Sequence, residues 1–172
     1  MREAFDVPIF GVVVPGVEEA LRSTKNKKIG VIGTPGTVRS GAYEKMICAE
    51  DSEMQVFTKA CPLFVPLAEE GWTDNEVSQQ AAKRYLDELV EKGIDSLVLG
   101  CTHFPFAKNA LRRALGNVPF FDGAIGAAKE LHRRLKAADL LSDANSGGIT
   151  FAASGAQLPF SIKAKSITLR SF

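Results

Sequence analysis

Residues 97–105 read Leu-Val-Leu-Gly-Cys-Thr-His-Phe-Pro, and this stretch decides the fold. Residues 96–99 are a short apolar run rich in branched side chains. They lie between two segments of helical pattern, one stopping at Lys92-Gly93 and one spanning residues 106–115. An apolar run in that setting reads as a buried strand of a parallel sheet. The strand ends at Gly100, and Cys101, Thr102 and His103 follow. A thiol, a hydroxyl and an imidazole thus fall where a parallel strand gives way to a helix. Open α/β sheets collect ligands at the carboxyl ends of their strands, and helix N-termini offer free N–H groups to anions. That environment favours a thiolate, and an imidazole two residues on can carry its proton. The plain alternative is a small buried cysteine beside a satisfied histidine. Three reactive groups clustered at one strand end favour chemistry.

Outward from this stretch the same alternation repeats. Residues 28–32 read as a strand, followed by Gly33-Thr34-Pro35-Gly36-Thr37 and a helix over residues 38–49. A strand, a Gly/Thr-rich turn and a helix make a phosphate- or carboxylate-binding geometry, with Thr34 and Thr37 as the candidate hydroxyls. The turn is no P-loop, because no Gly-Lys-Ser/Thr follows, and its glycines do not match Gly-x-Gly-x-x-Gly. Ligand contact and simple tight packing both remain open for it. Residues 54–58 are a third strand. It leads into residues 60–72, which carry two prolines around an apolar patch and then Glu69-Glu70, and which read as irregular. A solvated helix end is the plain reading of that acidic pair. Residues 76–92 form an amphipathic helix with Val77, Ala81, Tyr85, Leu86 and Leu89 on one face. Residues 118–121 are another strand and residues 124–138 a helix, whose His132 lies on a basic, solvated face.

The flanks are less regular. Residues 2–5 read as the tail of a helix, residues 8–14 as a strand, and Pro15 opens a short helix to Arg22. Near the other end, residues 142–148 read as a loop and residues 149–153 as a strand, and residues 163–172 carry three cations and no acid. Alternating strands and helices with short joins imply an α/β fold, a parallel sheet with helices on both faces.

Composition bounds the function. The 172 residues are 45% apolar and 24% charged, with a formal net charge of +1. No strong field argues for nucleic acid or an anionic membrane as partner. No apolar run approaches a membrane span, and residues 1–6 offer no apolar signal-peptide core. Cys48, Cys61 and Cys101 form no Cys-x-x-Cys pair. That pattern fits a reducing cytoplasm better than a disulfide framework or a zinc site, and no metal is expected. The thiol has two chemistries open to it. It can act as a nucleophile, which asks for an oriented histidine, or it can exchange a proton at carbon as thiolate base and thiol acid.

Three motifs together resemble a known family. They are Gly-Cys-Thr-His-Phe-Pro at 100–105, Ala-Cys-Pro-Leu-Phe-Val-Pro-Leu at 60–67 with Glu-Glu-Gly at 69–71, and Ile-Gly-Val-Ile-Gly-Thr-Pro-Gly-Thr at 29–37 with Ser-Gly-Ala-Tyr at 40–43. In order and spacing they are similar to bacterial glutamate racemase, over about residues 4–153. The resemblance implies a cofactor-independent enzyme that interconverts L- and D-glutamate, the D-isomer entering peptidoglycan, with one cysteine on each face of the α-carbon. It implies that Cys101 is the second catalytic cysteine, which takes the α-proton of L-glutamate. His103 would be its acid/base partner, and Thr102 would bind substrate. One of Glu69 and Glu70 would be a supporting carboxylate, with Glu70 favoured. Cys61 would be structural.

The family's Asp-Ser-Gly, Pro-Tyr-Gly and Ala-Cys-Asn-Thr motifs, the last carrying its first catalytic cysteine, do not occur in this sequence. The expectation is a complete second lobe over residues 13–122. Residues 1–12 would be a remnant of the first lobe, and residues 123–172 its returning part with a divergent tail. Such a chain would be an impaired racemase. Two other readings accompany this one: a one-thiol superfamily enzyme such as a decarboxylase, and a non-catalytic binder like the racemases that inhibit DNA gyrase. Near-neutral charge gives the last no support. Expected partners are glutamate and, in the open case, a second copy of the chain as a homodimer.

Overall fold

The computed structural model describes residues 8–142. The chain divides into two units at Asp139/Leu140, and the first holds the sheet and its helices. Its elements run α1 Val13–Ser23, β1 Lys28–Gly33, α2 Pro35–Ser40, α3 Ala42–Glu50, β2 Gln55–Ala60, α4 Phe64–Glu69, α5 Glu76–Glu91, β3 Ser96–Gly100, a 3₁₀ turn Phe104–Ala107, α6 Lys108–Leu115, β4 Phe120–Asp122 and α7 Gly123–Ala137.

The four strands form one sheet in the order β2-β1-β3-β4, and every pairing is parallel. Register aligns Gly33 with Ala60 on one side and with Gly100 on the other, so three strands end level. Strand side chains alternate between two apolar clusters. Ile29, Val31 and Val98 join Val17 and Ala20 of α1 and Tyr43 and Ile47 of α3 on one face. Ile32, Leu97 and Leu99 join Phe64, Leu86 and Leu111 on the other. Both faces are covered, which is why residues 97–99 are apolar without interruption. Phe64 is fully buried and meets Tyr85 and Phe104 edge-on, with centroids 5.5 and 5.2 Å apart.

Several expectations need correction. Residues 8–14 do not form a strand: residues 8–11 are irregular and α1 begins at Val13, because Val13, Val17 and Ala20 fall on one helical face against the sheet. The single helix over residues 38–49 is two, broken at Gly41, whose φ of 62° is the left-handed conformation that glycine adopts freely. Residues 60–72 are not wholly irregular, since α4 lies within them. The buried stripe of α5 runs through Ser78, Ala82, Leu86 and Leu89, whereas Val77 is 49% exposed. Ser78 takes the buried place because it closes a capping box with Asn75, each residue's side chain bonding the other's backbone N–H. The strand expected at residues 118–121 begins two residues later and ends one residue later, at Phe120–Asp122. The expected helix tail at 2–5, the loop at 142–148 beyond Ser142, the strand at 149–153 and the basic tail lie outside the described residues. No helix among the described residues is long and apolar enough to cross a membrane.

Candidate functional site

The path from β1 leads to β2 on one side, while β3 lies on the other side of β1. The turns leaving β1 and β3 therefore diverge at their carboxyl ends, which opens the crevice where doubly wound sheets hold ligands. The turn after β1 brings Thr34 and Thr37. The turn after β3 brings Cys101, Thr102 and His103.

The two turns are tied together. Thr34 caps α2, its hydroxyl accepting from the Thr37 N–H at 3.2 Å, and the two threonine hydroxyls lie 3.0 Å apart. The Thr37 hydroxyl then donates to the Gly100 carbonyl at 3.3 Å. A side chain at Gly100 would be tight: a Cβ there would lie 3.0 Å from Tyr43 Cε2 and from the Ile32 carbonyl oxygen and 3.2 Å from Thr37 Cγ2. These contacts lock the end of β3 one residue before the thiol.

Cys101 is partly buried, against the α5/α6 side of the core. Its Sγ lies 4.0 Å from His103 Nδ1, and His103 Nε2 lies 3.4 Å from Glu69 Oε1. Cysteine, histidine and carboxylate thus form a line, with the imidazole between. Glu69 is the last residue of α4, and the helix presents it to His103. Glu70 caps that helix, is exposed and makes no ion pair among the described residues. Thr102 is exposed at the mouth. Tyr43 is buried, and its phenol is held above its ordinary range by that burial and by the negative charge Cys101 can carry. The other thiol of the carboxyl edge, Cys61, is fully buried, which pushes it up to about 12 against the pull of Lys59.

The structure thus gathers Cys101, Thr102, His103, Thr34 and Thr37 at one edge, as the sequence suggests. It sets Glu69 rather than Glu70 against the imidazole. Tyr43 packs at the same edge, against Gly100. No group of three or more His, Cys, Asp or Glu among the described residues could hold a metal ion. A cavity of about 880 Å³ lies elsewhere, between residues 8–11, α1 and α7. Its Glu130 is engaged by Arg133 and Arg134, which draw the carboxyl down to about 2.

A doubly wound parallel sheet with a thiol and an imidazole at its switch point places the chain among the open α/β folds that bind ligands at that crevice. Within that class the assignment is specific: residues 1–131 match the Asp/Glu/Hydantoin racemase family, and the chain belongs to it. It is 47% identical over 131 residues to a glutamate racemase of Sulfurihydrogenibium sp. (strain YO3AOP1), covering 76% of this chain and 50% of that protein. It is 48% identical over 136 residues to a glutamate racemase of Aquifex pyrophilus, covering 79% and 52%. The chain spans about half the length of the curated relatives it matches. Among solved structures it is similar to glutamate racemase isoform RacE1 from Bacillus anthracis, with a TM-score of 0.88 and 34% identity, covering 95% of this chain and 62% of that one. The glutamate racemase of Francisella tularensis, solved in complex with D-glutamate, gives a TM-score of 0.75 at 33% identity, covering 83% and 52%.

Proposed function

We propose that this chain carries the Cys101 half of a cofactor-independent glutamate racemase. The observation that carries the reading is the line of Cys101, His103 and Glu69 at the β1/β3 switch point. In this reading the Cys101 thiolate takes the α-proton of L-glutamate. His103 accepts that proton from the thiol or returns it, and Glu69 keeps the imidazole turned toward Cys101. Hydroxyls of Thr34 and Thr102 donate to the substrate carboxylates and to the negative charge that develops when the proton leaves, and Thr37, whose own proton is held by the Gly100 carbonyl, offers the substrate its side of the turn. The reaction asks for no cofactor. Residues 13–122 are the lobe that bears the thiol, and residues 1–12 and 123–172 belong with its companion. The product, D-glutamate, serves peptidoglycan, and the setting is cytoplasmic.

A two-base racemisation also needs an acid on the opposite face of the α-carbon. Cys101 serves one face. Reprotonation from that face returns L-glutamate, and water is a poorly placed acid. Loss of a general acid costs on the order of 10²- to 10⁴-fold. The test is L-glutamate in deuterium oxide with the purified chain, followed by proton NMR and by optical rotation. The expected result is slow α-deuteration with rotation retained, abolished by Cys101→Ala. Absence of any Cys101-dependent deuteration overturns the reading. Steady formation of D-glutamate keeps it and adds a second acid.

A further inference from the structure

Thr37 stands against the two strand ends that border the crevice. At Gly33, the last residue of β1, a Cβ would lie 2.9 Å from Thr37 Cβ and Cγ2. At Gly100, the last residue of β3, a Cβ would lie 3.2 Å from Thr37 Cγ2. The two glycines face each other in register. Both strand ends are bare where this threonine approaches, which is one use of a glycine at the end of a strand. The hydroxyl exploits the approach and donates to the Gly100 carbonyl at 3.3 Å. The direction of that bond is fixed, because a carbonyl only accepts. With the Thr37 proton engaged, the 3.0 Å contact between the two threonine hydroxyls is a donation from Thr34 to Thr37. A substrate carboxylate can therefore take the Thr34 proton while Thr37 keeps its hold on Gly100.

That hold matters because of what the carbonyl is joined to. The peptide between Gly100 and Cys101 is one rigid plane, with the Gly100 oxygen at one corner and the Cys101 Cα at another. Fixing the oxygen fixes the direction in which the thiol side chain leaves the backbone. The sheet holds this end of β3 on one side only: β1 pairs as far as Gly100, whereas the last pair with β4 is Leu99 with Asp122. Tolerance at the thiol is small. Cys101 Sγ to His103 Nδ1 is 4.0 Å, a long contact that a small rotation of the plane would end. We infer that Thr37 is a positioning residue for the thiol: its hydroxyl holds the Gly100–Cys101 peptide so that the Cys101 sulfur stays within reach of His103.

The inference rests on the reading of Cys101 and His103 as a proton-transfer pair, but its test needs no turnover. Cys48, exposed on α3, is a reference thiol within the same chain. Iodoacetamide alkylation of the native chain at pH 7 is followed by peptide mass mapping, and the Cys101 rate is divided by the Cys48 rate. Thr37→Val keeps the packing against both glycines and removes the donor, while Thr37→Ser keeps the donor. The expected result is a ratio about fivefold lower in Thr37→Val, the size of one hydrogen bond, and recovered to within about twofold in Thr37→Ser. Loosening of the turn alone acts in the other direction, because it uncovers the partly buried sulfur and speeds its reaction. In a His103→Gln background Thr37→Val should change the ratio by less than about twofold, since the contact it protects is gone. A Thr37→Val ratio equal to or above the parent's, a serine variant that does not recover, or an undiminished effect without His103 overturns the inference. Should Thr37→Val fail to fold, Gly33→Ala, whose Cβ pushes Thr37 away from the strand ends, is read by the same ratio and must lower it. If deuteration of glutamate fails in the parent while the ratio falls in Thr37→Val and recovers in Thr37→Ser, the proposed function falls and the coupling of Thr37 to Cys101 stands.

Discussion

The two edges of this parallel sheet are built differently. At the amino edge the charged groups just before β1 and β3 are saturated. The Asp95 carboxylate, just before β3, accepts from the Thr24 hydroxyl at 2.5 Å and from the N–H groups of Lys25 and Asn26 at 2.6 and 2.9 Å. Lys27, just before β1, lies between Asp51 and Glu53. At the carboxyl edge the contacts around the thiol are long. Cys101 to His103 is 4.0 Å and His103 to Glu69 is 3.4 Å. Saturated polar groups hold loops in place, whereas groups with spare capacity can take up a substrate or a proton. Strand direction alone does not produce this contrast. The choice of side chains in the turns does.

Within the carboxyl edge, Cys61 and Cys101 sharpen the point. Each follows the end of a strand. Cys61 is sealed beside Phe64 and pushed up to about 12, while Cys101 is partly open beside an imidazole. With a thiol at about 12, the thiolate fraction at pH 8 is on the order of 10⁻⁴. Native-state alkylation at pH 8 is therefore expected to modify Cys101 at least 10³-fold faster than Cys61, with all three thiols reacting in urea. Peptide mass mapping over time checks this. Comparable native rates for the two would break the comparison.

The amino edge predicts a smaller effect on stability. Burial works against the Asp95 charge. The Thr24 hydroxyl and the Lys25 and Asn26 N–H groups outweigh it and hold the carboxyl below its ordinary value of 3.8. A depressed carboxyl stabilises the fold above its unfolded-state value and loses that contribution as pH falls through the folded-state value. Asp95→Asn is expected to cost about 1 kcal/mol at pH 7, discounted for partial exposure, since it removes the charge and one of the two acceptor oxygens while keeping the shape. Urea unfolding at pH 7 and at pH 3 measures it, and the gap between variant and parent should narrow at pH 3. A gap equal at both values would place the stabilisation elsewhere.

Much of this was legible in the chain. The unbroken apolar run before Gly100 marked a strand buried on both faces, and the helical patterns around it gave a parallel sheet. The site followed wherever a reactive residue stood directly after a strand: Cys101, Thr102, His103, and the Thr34–Thr37 turn. What escaped was phase. Val12, Val13 and Val14 look like a strand because their apolar run overlaps the first turn of α1. The helical face emerges only from Val17 and Ala20 further on. Val77 is the apolar residue at the start of α5, yet Ser78 is buried there because it satisfies the helix N-terminus. Tyr43 was visible only as part of a motif. Its packing depends on the approach of α3 to Gly100, across more than fifty residues of chain.

The smallest expected effect separates the two neighbouring carboxylates. Sequence favoured Glu70, and adjacent residues on a helix point about 100° apart, so an error of one position turns the carboxylate away. The structure sets Glu69 against His103 with half of its side chain exposed, an arrangement worth only a few tenths of a kcal/mol. Glu69→Gln is therefore expected to leave stability within about 0.5 kcal/mol of the parent. Its effect should appear in the imidazole. The chain has two histidines, His103 and His132, and His132 is exposed on α7, so each provides a control for the other. In proton–nitrogen correlation spectra at pH 7, Glu69→Gln should shift the His103 ring resonances and leave those of His132 in place. Glu70→Gln should move neither. If Glu70→Gln alone shifts His103, the carboxylate behind the imidazole is Glu70, and α4 presents its end to the crevice one residue later than the structure has it.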